Sequence, residues 1–406
     1  MAVNNKWNTG ARALVLSGDL GDGHRQAARA LAEACSAGTV PWVEAETVDF
    51  LRRIHPNLHP FVRYGFLKGV EKAPGVYGYL YKKTRASQSL SLPFRCLLGM
   101  GLQRLAALVN EKQPDVIICT FPLAAAAVSL LKSRTGLRTP LVTVITDHTD
   151  HSLWLNPHTD LYLVGSESVS AALRQRGIPA TSLCVTGIPV RSCFSEASES
   201  DREALKRRLG LNPELPLVMV MGGGCGLLSE ETRALIRSSV LRRHVQLTLI
   251  CGSNDAARFR LEKELDKNPT PNIRITGFVD NIHEWMAAAD LLVTKPGGLT
   301  TSEAATAGLP MLLYKPIPGQ EEDNASVLEK AGIAVIASKE RKLRDQLLEL
   351  VENRAALSAM RAKARQFRSN RPAEQAWDAI MKLQPADQLN RETRQTLAVR
   401  EAQAGT

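Results

Sequence analysis

The 406-residue chain has little of what marks secreted or membrane-spanning proteins. Its seven cysteines form an odd set without a C-x-x-C pair, which argues against a disulfide framework and against a structural zinc site. No stretch reaches the roughly 18 apolar residues that span a bilayer, and the first residues lack the basic start and apolar core of a secretory signal. We therefore expect a protein of a reducing compartment that is neither secreted nor integral to a membrane.

Two further absences narrow the chemistry. No D-x-D pair is present to chelate the metal ion of a bound nucleotide. The net charge of +10 is not accompanied by an RNA- or DNA-binding signature. With 44% hydrophobic and 23% charged residues, the chain has the composition of an ordinary folded protein of enzyme size. The sequence thus predicts neither a metal site nor a nucleic-acid partner.

Most of the excess positive charge lies in one segment. Residues 51–104 carry ten lysines and arginines against one acid, Glu71, and hold seven of the twenty aromatic residues of the chain. Basic and aromatic side chains together are typical of a surface that meets anionic lipid headgroups. The alternative is a helical face that packs its aromatics inward and solvates its lysines. The predicted membrane or acceptor contacts are Lys68, Lys72, Tyr77, Tyr81, Lys82 and Lys83.

Short apolar runs alternate with helical stretches, which is typical of parallel βαβ units. The pattern predicts an α/β protein with two doubly wound, Rossmann-like domains at 1–194 and 195–370, joined through the polar stretch 195–201. A helix and a polar tail at 371–406 follow, and we expect the helix to pack back on the first domain. The candidate strands are 13–17, 116–119, 141–145, 161–164 and 182–185, then 217–221, 247–251, 291–293 and 311–314.

A glycine turn, Gly21-Asp22-Gly23-His24, separates the first strand from its helix. Ligands bind at the carboxyl edge of a parallel sheet, where this turn is expected to lie. An imidazole can accept a proton at neutral pH, so His24 is the candidate general base. The alternative is a histidine that only caps the turn.

A second glycine turn, 222–226 (GGGCG), follows the strand predicted at 217–221. Its backbone N–H groups can hold a diphosphate, although the dinucleotide frame G-x-G-x-x-G is broken by Leu227. A third turn, at 294–305, places Glu303 early in a helix. Glu303 can accept two ribose hydroxyls, or it can serve the helix dipole alone.

The polar run 147–151 (DHTDH) follows the strand that ends near Ile145. It resembles a metal cluster only superficially, because consecutive residues point apart and no other cluster supplies outer ligands. We expect these groups to contact an acceptor or to orient His24.

Five strings occur in a fixed order: 17–25 (SGDLGDGHR), 74–81 (PGVYGYLY), 146–154 (TDHTDHSLW), 186–191 (TGIPVR), and 295–298 (KPGG) followed by 318–321 (PGQE). Together they resemble the monogalactosyldiacylglycerol synthases and processive diacylglycerol glucosyltransferases of glycosyltransferase family 28. The resemblance covers most of residues 11–380. It implies the GT-B fold, in which two Rossmann-like domains face a cleft.

The resemblance also implies roles for individual residues. The loop around Phe278 and Val279 corresponds to the uracil contact, Glu303 to the ribose contact, and Gln320 with Glu321 to contacts with the donor sugar. Arg191 and the glycine turn at 222–226 correspond to diphosphate contacts. The catalytic candidates are His24 and Asp147, and the donor-binding candidates are Gly23, Arg191, Gly223, Gly224, Phe278, Val279, Gly297, Gly298, Thr300, Glu303, Gln320 and Glu321.

The sequence therefore predicts an inverting transfer of a hexose from a UDP-sugar to the hydroxyl of diacylglycerol. No cofactor is expected, and the enzyme should lie on the cytoplasmic face of the cell membrane, held by anionic lipids. A transferase acting on another lipid-linked acceptor, such as a polyprenyl intermediate of cell-wall synthesis, remains an alternative. So do a nucleotide-sugar epimerase of the same fold and a catalytically silent lipid-surface protein. The basic segment 51–104 favours a transferase, because an epimerase of a soluble nucleotide sugar needs no membrane surface.

Overall fold

The computed structural model of the chain describes residue 7 and residues 10–86, 92–222 and 230–383. Contacts divide the chain into two units. The first unit comprises Met1–Ala73, Leu80–Arg191 and Pro372–Thr406, and the second comprises Pro74–Tyr79 and Ser192–Arg371. Across the described residues, no helix combines the length and the apolar character needed to cross a membrane.

The first unit is built on a six-stranded sheet in which every pair of neighbours is parallel. The strand order is β2-β1-β3-β4-β5-β6, so the chain reverses its direction of winding between β1 and β3. The Cα of Val15 pairs with those of Thr47 and Ile118 on the two flanking strands. The strands are β1 Ala11–Ser17, β2 Val43–Asp49, β3 Val116–Cys119, β4 Leu141–Val144, β5 Leu161–Val164 and β6 Leu183–Val185.

Helices cover both faces of this sheet, with a π-helical turn at Cys35–Thr39 and 3₁₀ turns at Ser152–Trp154 and Ala180–Ser182. The first helix begins after Gly21, whose extended backbone forms the N-cap, and carries Asp22 in its first turn, where an acid favours the helix dipole. The helices are α1 Asp22–Ala34, α2 Phe50–Ile54, α3 His59–Lys72, α4 Pro74–Thr84, α5 Leu92–Lys112, α6 Pro122–Thr135 and α7 Glu167–Gln175, and the first part of α4, Pro74–Tyr79, belongs to the second unit.

The central strands of the first unit are buried on both faces, as a doubly wound sheet requires. Val15 and Ile118 belong to one apolar layer, and Leu14 and Ile117 belong to the other. The first layer also contains Trp377, which is fully buried and donates its indole N–H to the carbonyl of Leu31 at 2.8 Å. The helix that carries Trp377 is therefore part of the core of the first unit.

The second unit repeats this plan with a parallel sheet of order β12-β11-β10-β7-β8-β9. Its winding direction reverses between β7 and β10. The strands are β7 Leu217–Met221, β8 Gln246–Ile250, β9 Ile273–Thr276, β10 Leu291–Thr294, β11 Met311–Leu313 and β12 Ala334–Ile336. The remaining helices are α8 Ser192–Ala197, α9 Arg202–Arg208, α10 Glu230–Arg237, α11 Leu241–His244, α12 Asp255–Leu265, α13 Ile282–Ala288, α14 Gly298–Thr306, α15 Gln320–Lys330, α16 Leu343–Glu352, α17 Arg354–Phe367 and α18 Pro372–Ile380, of which α18 belongs to the first unit.

These two sheets confirm the predicted fold class, an α/β protein with two doubly wound parallel sheets. The sequence pattern does not predict three of the strands, β2, β9 and β12, and each of these lies at an edge of its sheet. Because all strands of a sheet are parallel, their carboxyl ends meet at one edge. The loops that leave this edge carry most of the candidate site residues.

Candidate active site

His24 lies where ligands bind in doubly wound folds. Its turn follows β1 and the next loop, with Thr120 and Phe121, follows β3, so the two loops leave the neighbouring strands between which the winding reverses. The Thr120 hydroxyl donates to the backbone carbonyl of His24 at 2.9 Å. The two loops are thus joined, and the first turn of α1 is fixed against the sheet edge.

The imidazole of His24 is held on one nitrogen and enclosed by rings. Its Nδ1 lies 2.9 Å from the Oγ1 of Thr146, which follows β4. The Phe121 ring lies 5.2 Å away and the Trp154 ring 5.9 Å away, measured between ring centroids. When Nδ1 carries the proton and donates to Thr146, Nε2 is left as an acceptor.

Burial controls the protonation state of His24. It lowers the pKa of the imidazole to about 4, and a hydrogen bond between the ring and the backbone of Thr120 opposes this only in part. The ring is consequently neutral at physiological pH. A neutral imidazole with one nitrogen held and the other available has the form required of a proton acceptor.

Close packing requires one glycine of the first loop, Gly18. A Cβ on Gly18 would lie 2.8 Å from atoms of the Phe121 ring, so only glycine fits there. Asp22 pairs with Arg25 at 2.5 Å on the exposed side of α1. Gly23, the candidate donor contact, is half-buried in the first turn of this helix.

The loop after β4 contains the bond to His24 that the sequence reasoning missed. Thr146, the residue before the predicted catalytic Asp147, makes that bond, and Asp147 itself is 3% exposed. The available signal was the position of Thr146, directly after a buried strand at the same sheet edge as His24. Asp147 remains a candidate only through its place in this loop.

The rest of the predicted polar run holds α4. The ring of His151 accepts from the Leu153 N–H at Nδ1, so its Nε2 donates to the carbonyl of Tyr81 at 3.1 Å. Tyr81 is 9% exposed and its hydroxyl lies 2.6 Å from that of Thr149. Because its ring and hydroxyl are turned into the protein, Tyr81 is not part of an exposed membrane surface, and its contact with the acceptor stays a prediction. In the same loop Asp150 pairs with two arginines, Arg85 at 2.6 Å and Arg176 at 2.7 Å.

In the second unit, the turn after β10 opens α14, and β10 is the neighbour of β7, so this turn again lies at the point where the winding reverses. Gly297 forms the N-cap of α14 with extended backbone, and Gly298 is buried at its first position. Asn324 on α15 donates its side-chain amide to the carbonyl of Pro296 at 2.9 Å, which fixes this turn. Of the other candidates, Thr300 and Glu303 are half-buried on α14, and Gly223 and Gly224 lie outside the described residues.

The loop after β11 positions Gln320 and Glu321 at the start of α15. Gly319 precedes them with φ 102°, a conformation that favours glycine. The carboxylate of Glu321 accepts from the Ile317 N–H at 2.7 Å and so closes this loop. The hydroxyl of Tyr77, which belongs to the second unit, donates to Oε1 of Gln320 at 3.4 Å. Tyr77 is therefore placed with a donor candidate.

The three remaining donor candidates follow strands at the carboxyl edges of their own sheets. Phe278, after β9, is 65% exposed, and Val279 beside it is half-buried. An exposed ring on a loop at the carboxyl edge suits stacking on a planar base. Arg191 is half-buried and ends the main segment of the first unit, after β6.

A cluster that the sequence analysis did not single out lies beside the first loop. Ligand atoms of Asp19, Asp49 and His59 all lie within 4.8 Å of one another, and His59 Nε2 is 2.8 Å from Oδ1 of Asp19. The carboxylates already have partners, because Asp49 accepts from the Arg52 N–H and Asp19 pairs with Arg63 at 3.4 Å. Asp19 follows β1 and Asp49 ends the neighbouring strand β2, which is the signal that would have found the cluster.

Apolar side chains are exposed on α3 and α4. Phe61 is 76% and Tyr64 67% exposed on α3, and Tyr79 is 65% exposed on α4. Lys72, Lys82 and Lys83 are exposed in the same two helices, and Lys68 is partly exposed. Among the aromatics of this segment whose side chains the structure describes, these three exposed rings argue against the alternative of a face packed inward, whereas Tyr77 is half-buried and Tyr81 is buried. The further exposed apolar residues here are Leu58, Val76 and Leu80.

Two parallel Rossmann-like sheets with glycine turns at corresponding edges define the GT-B class of glycosyltransferases, and solved structures share this fold. Acinetobacter baumannii MurG matches with a TM-score of 0.59 and 17% identity, covering 92% of this chain and 100% of MurG. A putative UDP-N-acetylglucosamine 2-epimerase of Listeria monocytogenes matches with a TM-score of 0.61 and 14% identity, covering 91% of this chain and 96% of the epimerase. Anabaena HepE in complex with UDP-glucose matches with a TM-score of 0.53 and 16% identity, covering 92% of this chain and 100% of HepE. At these identities the likeness shows the fold alone.

The family is shown by sequence. The family model of monogalactosyldiacylglycerol (MGDG) synthase matches residues 24–190, and the glycosyltransferase family 28 C-terminal domain matches residues 217–376. The processive diacylglycerol beta-glucosyltransferases of Bacillus licheniformis and Bacillus subtilis are each 29% identical, over 90% and 92% of this chain and 94% and 96% of their own. The chain belongs to this family of glycosyltransferases, as its motifs predict.

Proposed function

We propose that this protein transfers a hexose from a UDP-sugar to the hydroxyl of diacylglycerol, with inversion, and so makes a glycosyldiacylglycerol. The observation that carries the proposal is the neutral, oriented imidazole of His24 at the carboxyl edge of the first sheet, in a chain that family models match in both units. Relatives whose names specify diacylglycerol as the substrate support the choice of acceptor.

The reaction requires the protein to accept one proton, from the hydroxyl of the acceptor. The acceptor oxygen attacks the anomeric carbon and gives its proton to Nε2 of His24, while the bond from that carbon to the UDP oxygen breaks and its electron pair leaves with UDP. Attack opposite to the leaving group inverts the configuration. Positioned general bases typically contribute about 10²- to 10⁴-fold in rate. The hydrogen bond that Nδ1 donates to Thr146 keeps Nε2, the nitrogen that accepts the proton, in place.

Leaving UDP develops negative charge that the donor site must stabilise. The start of α14, at Gly297 and Gly298, offers backbone N–H groups and the positive end of the helix dipole. One helix terminus contributes about 0.3 to 1 kcal/mol, so further donors must converge. We assign Arg191 and the glycine turn that begins at Gly222 to this task.

The remaining donor contacts follow the chemistry of each side chain. The carboxylate of Glu303 accepts hydrogen bonds from the two ribose hydroxyls, and the ring of Phe278 stacks on the uracil. Gln320 and Glu321 meet the sugar hydroxyls, and the Tyr77 hydroxyl steadies Gln320. We propose that no metal takes part.

We place the enzyme on the inner face of the cell membrane, held by α3 and α4. The exposed rings of Phe61 and Tyr64 enter the headgroup region, and the lysines of both helices, all in the first unit, meet anionic lipids. Each basic side chain near such a surface contributes about 1 kcal/mol. A bilayer-bound enzyme meets its water-insoluble acceptor directly.

The test is an assay of the purified protein with diacylglycerol in liposomes and a panel of UDP-sugars, with products separated by chromatography. We expect a glycosyldiacylglycerol product, and a loss of at least about 10²-fold in turnover for His24→Ala with UDP affinity within a few-fold. Turnover of a polyprenyl-linked acceptor alone would point to the cell-wall alternative. Conversion of a UDP-sugar without any lipid would point to an epimerase, and either result would overturn the proposal.

A further inference from the structure

A cavity of about 390 Å³ lies in the second unit, and none of the residues that line it is assigned a role above. Its polar walls come from α9 and α17, and a second cavity of about 280 Å³ shares several of its residues. Asp290, which lines the second cavity, directly precedes β10, so this site lies at the amino edge of the sheet. The donor turns leave the opposite, carboxyl edge. The cations that line the first cavity are Arg202, Lys206, Arg361 and Arg365.

Two of these four cations share one carboxylate, that of Asp290. Asp290 pairs with the guanidinium of Arg202 and, at 2.9 Å, with Nζ of Lys206. The same carboxylate also accepts from the Leu217 N–H at 2.8 Å. Over the described part of the chain, neither Arg361 nor Arg365 has a carboxylate partner, and Arg361 donates only to the carbonyl of Ala289 at 2.8 Å.

The two acids in the wall of the first cavity are engaged elsewhere. Asp201 accepts from the Glu203 N–H as the N-cap of α9. Glu203 pairs with Arg207 at 3.0 Å on the exposed side of the helix. Positive charge therefore exceeds negative charge at the cavity itself.

The crowding of like charges is reflected in their proton affinities. Burial, together with Arg202 and Arg365, lowers the pKa of Arg361 to about 9. Burial, with Arg202 and Arg361, lowers the pKa of Lys206 to about 8. An arginine normally remains charged far above neutral pH. The lowered pKa values therefore show that these side chains repel one another within the cluster. A bound anion would remove that repulsion.

We infer that this cavity is a binding site for a phosphate group, distinct from the UDP-sugar site and independent of the proposed reaction. Guanidinium groups bind phosphate oxygens in pairs of parallel hydrogen bonds, and Lys206 adds a point charge. The volume suits a phosphate ion or a phosphate monoester with a small organic remainder. Both a soluble phosphate ester and a lipid phosphomonoester headgroup present this chemistry.

Calorimetry with inorganic phosphate tests the site, with UDP present in saturating amount so that the donor turns are filled. Binding of UDP is measured separately, so that a failure of donor binding is recognised as such. We expect phosphate binding by the wild type, weakened at least about tenfold in Arg361→Gln and in Arg365→Gln. Arg243→Gln, at an exposed arginine on α11 of the same unit, is the matched control and should bind as the wild type does.

Thermal unfolding separates a lost ligand contact from a damaged fold. Without phosphate, Arg365→Gln should unfold at or above the wild-type temperature, because one repelling charge is gone. With phosphate, the wild type and Arg243→Gln should gain stability and Arg365→Gln should not. Equal gains in all three, or a gain that chloride gives at the same ionic strength, would overturn the site. Glycerol 3-phosphate and vesicles containing phosphatidic acid then distinguish a soluble source from a lipid source.

Discussion

Nδ1 of His24 lies 2.9 Å from Oγ1 of Thr146, so two loops that leave different strands of the first sheet meet at one imidazole. Thr146 follows β4 and His24 lies in the first turn of α1. The bond selects which ring nitrogen faces the acceptor, since a proton held at Nδ1 leaves Nε2 to accept. Thr146 is thus a positioning residue for the proposed base.

Thr146→Val should lower kcat by roughly 2- to 10-fold, the value of one hydrogen bond of ordinary strength. Thr146→Ser keeps the hydroxyl and should restore most of that loss. UDP affinity should be unchanged in both variants, because the change affects only the orientation of the base. Thr143→Val is the matched control: it removes a buried hydroxyl from β4, where Thr143 lies 3.3 Å from Thr159. A loss of kcat in the control equal to that in Thr146→Val would show that the effect is structural.

Glu303→Ala should weaken UDP binding. A hydrogen bond to a charged group contributes about 1.5 to 3 kcal/mol, which corresponds to a rise of about 10- to 150-fold in the dissociation constant measured by calorimetry. Glu352→Ala, at an exposed glutamate that ends α16, is the control and should bind UDP as the wild type does. Unchanged UDP affinity in a folded Glu303→Ala would remove Glu303 from the donor site.

The sheets show what sequence periodicity can and cannot find. The buried strands β3, β5 and β7 are continuous apolar runs, and the sequence predicts each with its observed bounds. The three unpredicted strands, β2, β9 and β12, are edge strands with one neighbour, which leaves part of their surface to solvent. β2 reads VEAETVD, so its polar residues hide it from a search for apolar runs.

The candidate site was predictable to the extent that it depends on chain order. The glycine turns and His24 follow strands, so their place at the sheet edge could be derived from the sequence. The position of Thr146 after β4 indicates the same edge, but its bond to His24 could not be derived, because the two residues are distant in sequence and are brought close only by the pairing of β1, β3 and β4. The burial of Tyr81 could not be predicted for a related reason: it depends on contacts with Thr149 and His151, which the periodicity of the helix does not indicate.

Acid should destabilise the protein through His148. This side chain is 4% exposed, and burial lowers its pKa from 6.5 to about 4. Between these two pH values the His148 ring binds a proton in the unfolded chain but not in the folded chain. The free energy of unfolding is therefore undiminished by this group above pH 6.5 and falls as the pH drops towards 4. The shift corresponds to about 3 kcal/mol at the lower end.

Urea unfolding at a series of pH values between these limits measures the effect. His148→Gln should show a shallower loss of stability with falling pH than the wild type, whatever its absolute stability. His158→Gln, at an exposed histidine of the same unit, should keep the wild-type slope. Identical slopes in the wild type and His148→Gln would contradict a buried neutral imidazole at this position.

Membrane docking should depend on both the charge and the rings of α3 and α4. Reversing Lys68, Lys72, Lys82 and Lys83 to glutamate removes four attractions of about 1 kcal/mol each and adds repulsion, so binding to phosphatidylglycerol vesicles should be lost. Phe61→Ser with Tyr64→Ser should weaken binding at low and high salt alike, whereas salt should weaken the wild type through screening over roughly 8 to 10 Å.

Vesicle flotation with and without salt measures both effects, and UDP binding reports on the fold of each variant. Phe259→Ser with Arg260→Glu is the matched control, because Phe259 is 60% exposed on α12 of the second unit and is followed by an exposed arginine. The control should float with vesicles as the wild type does. Binding that survives the four reversals, or that is lost equally in the control, would show that α3 and α4 do not form the membrane surface.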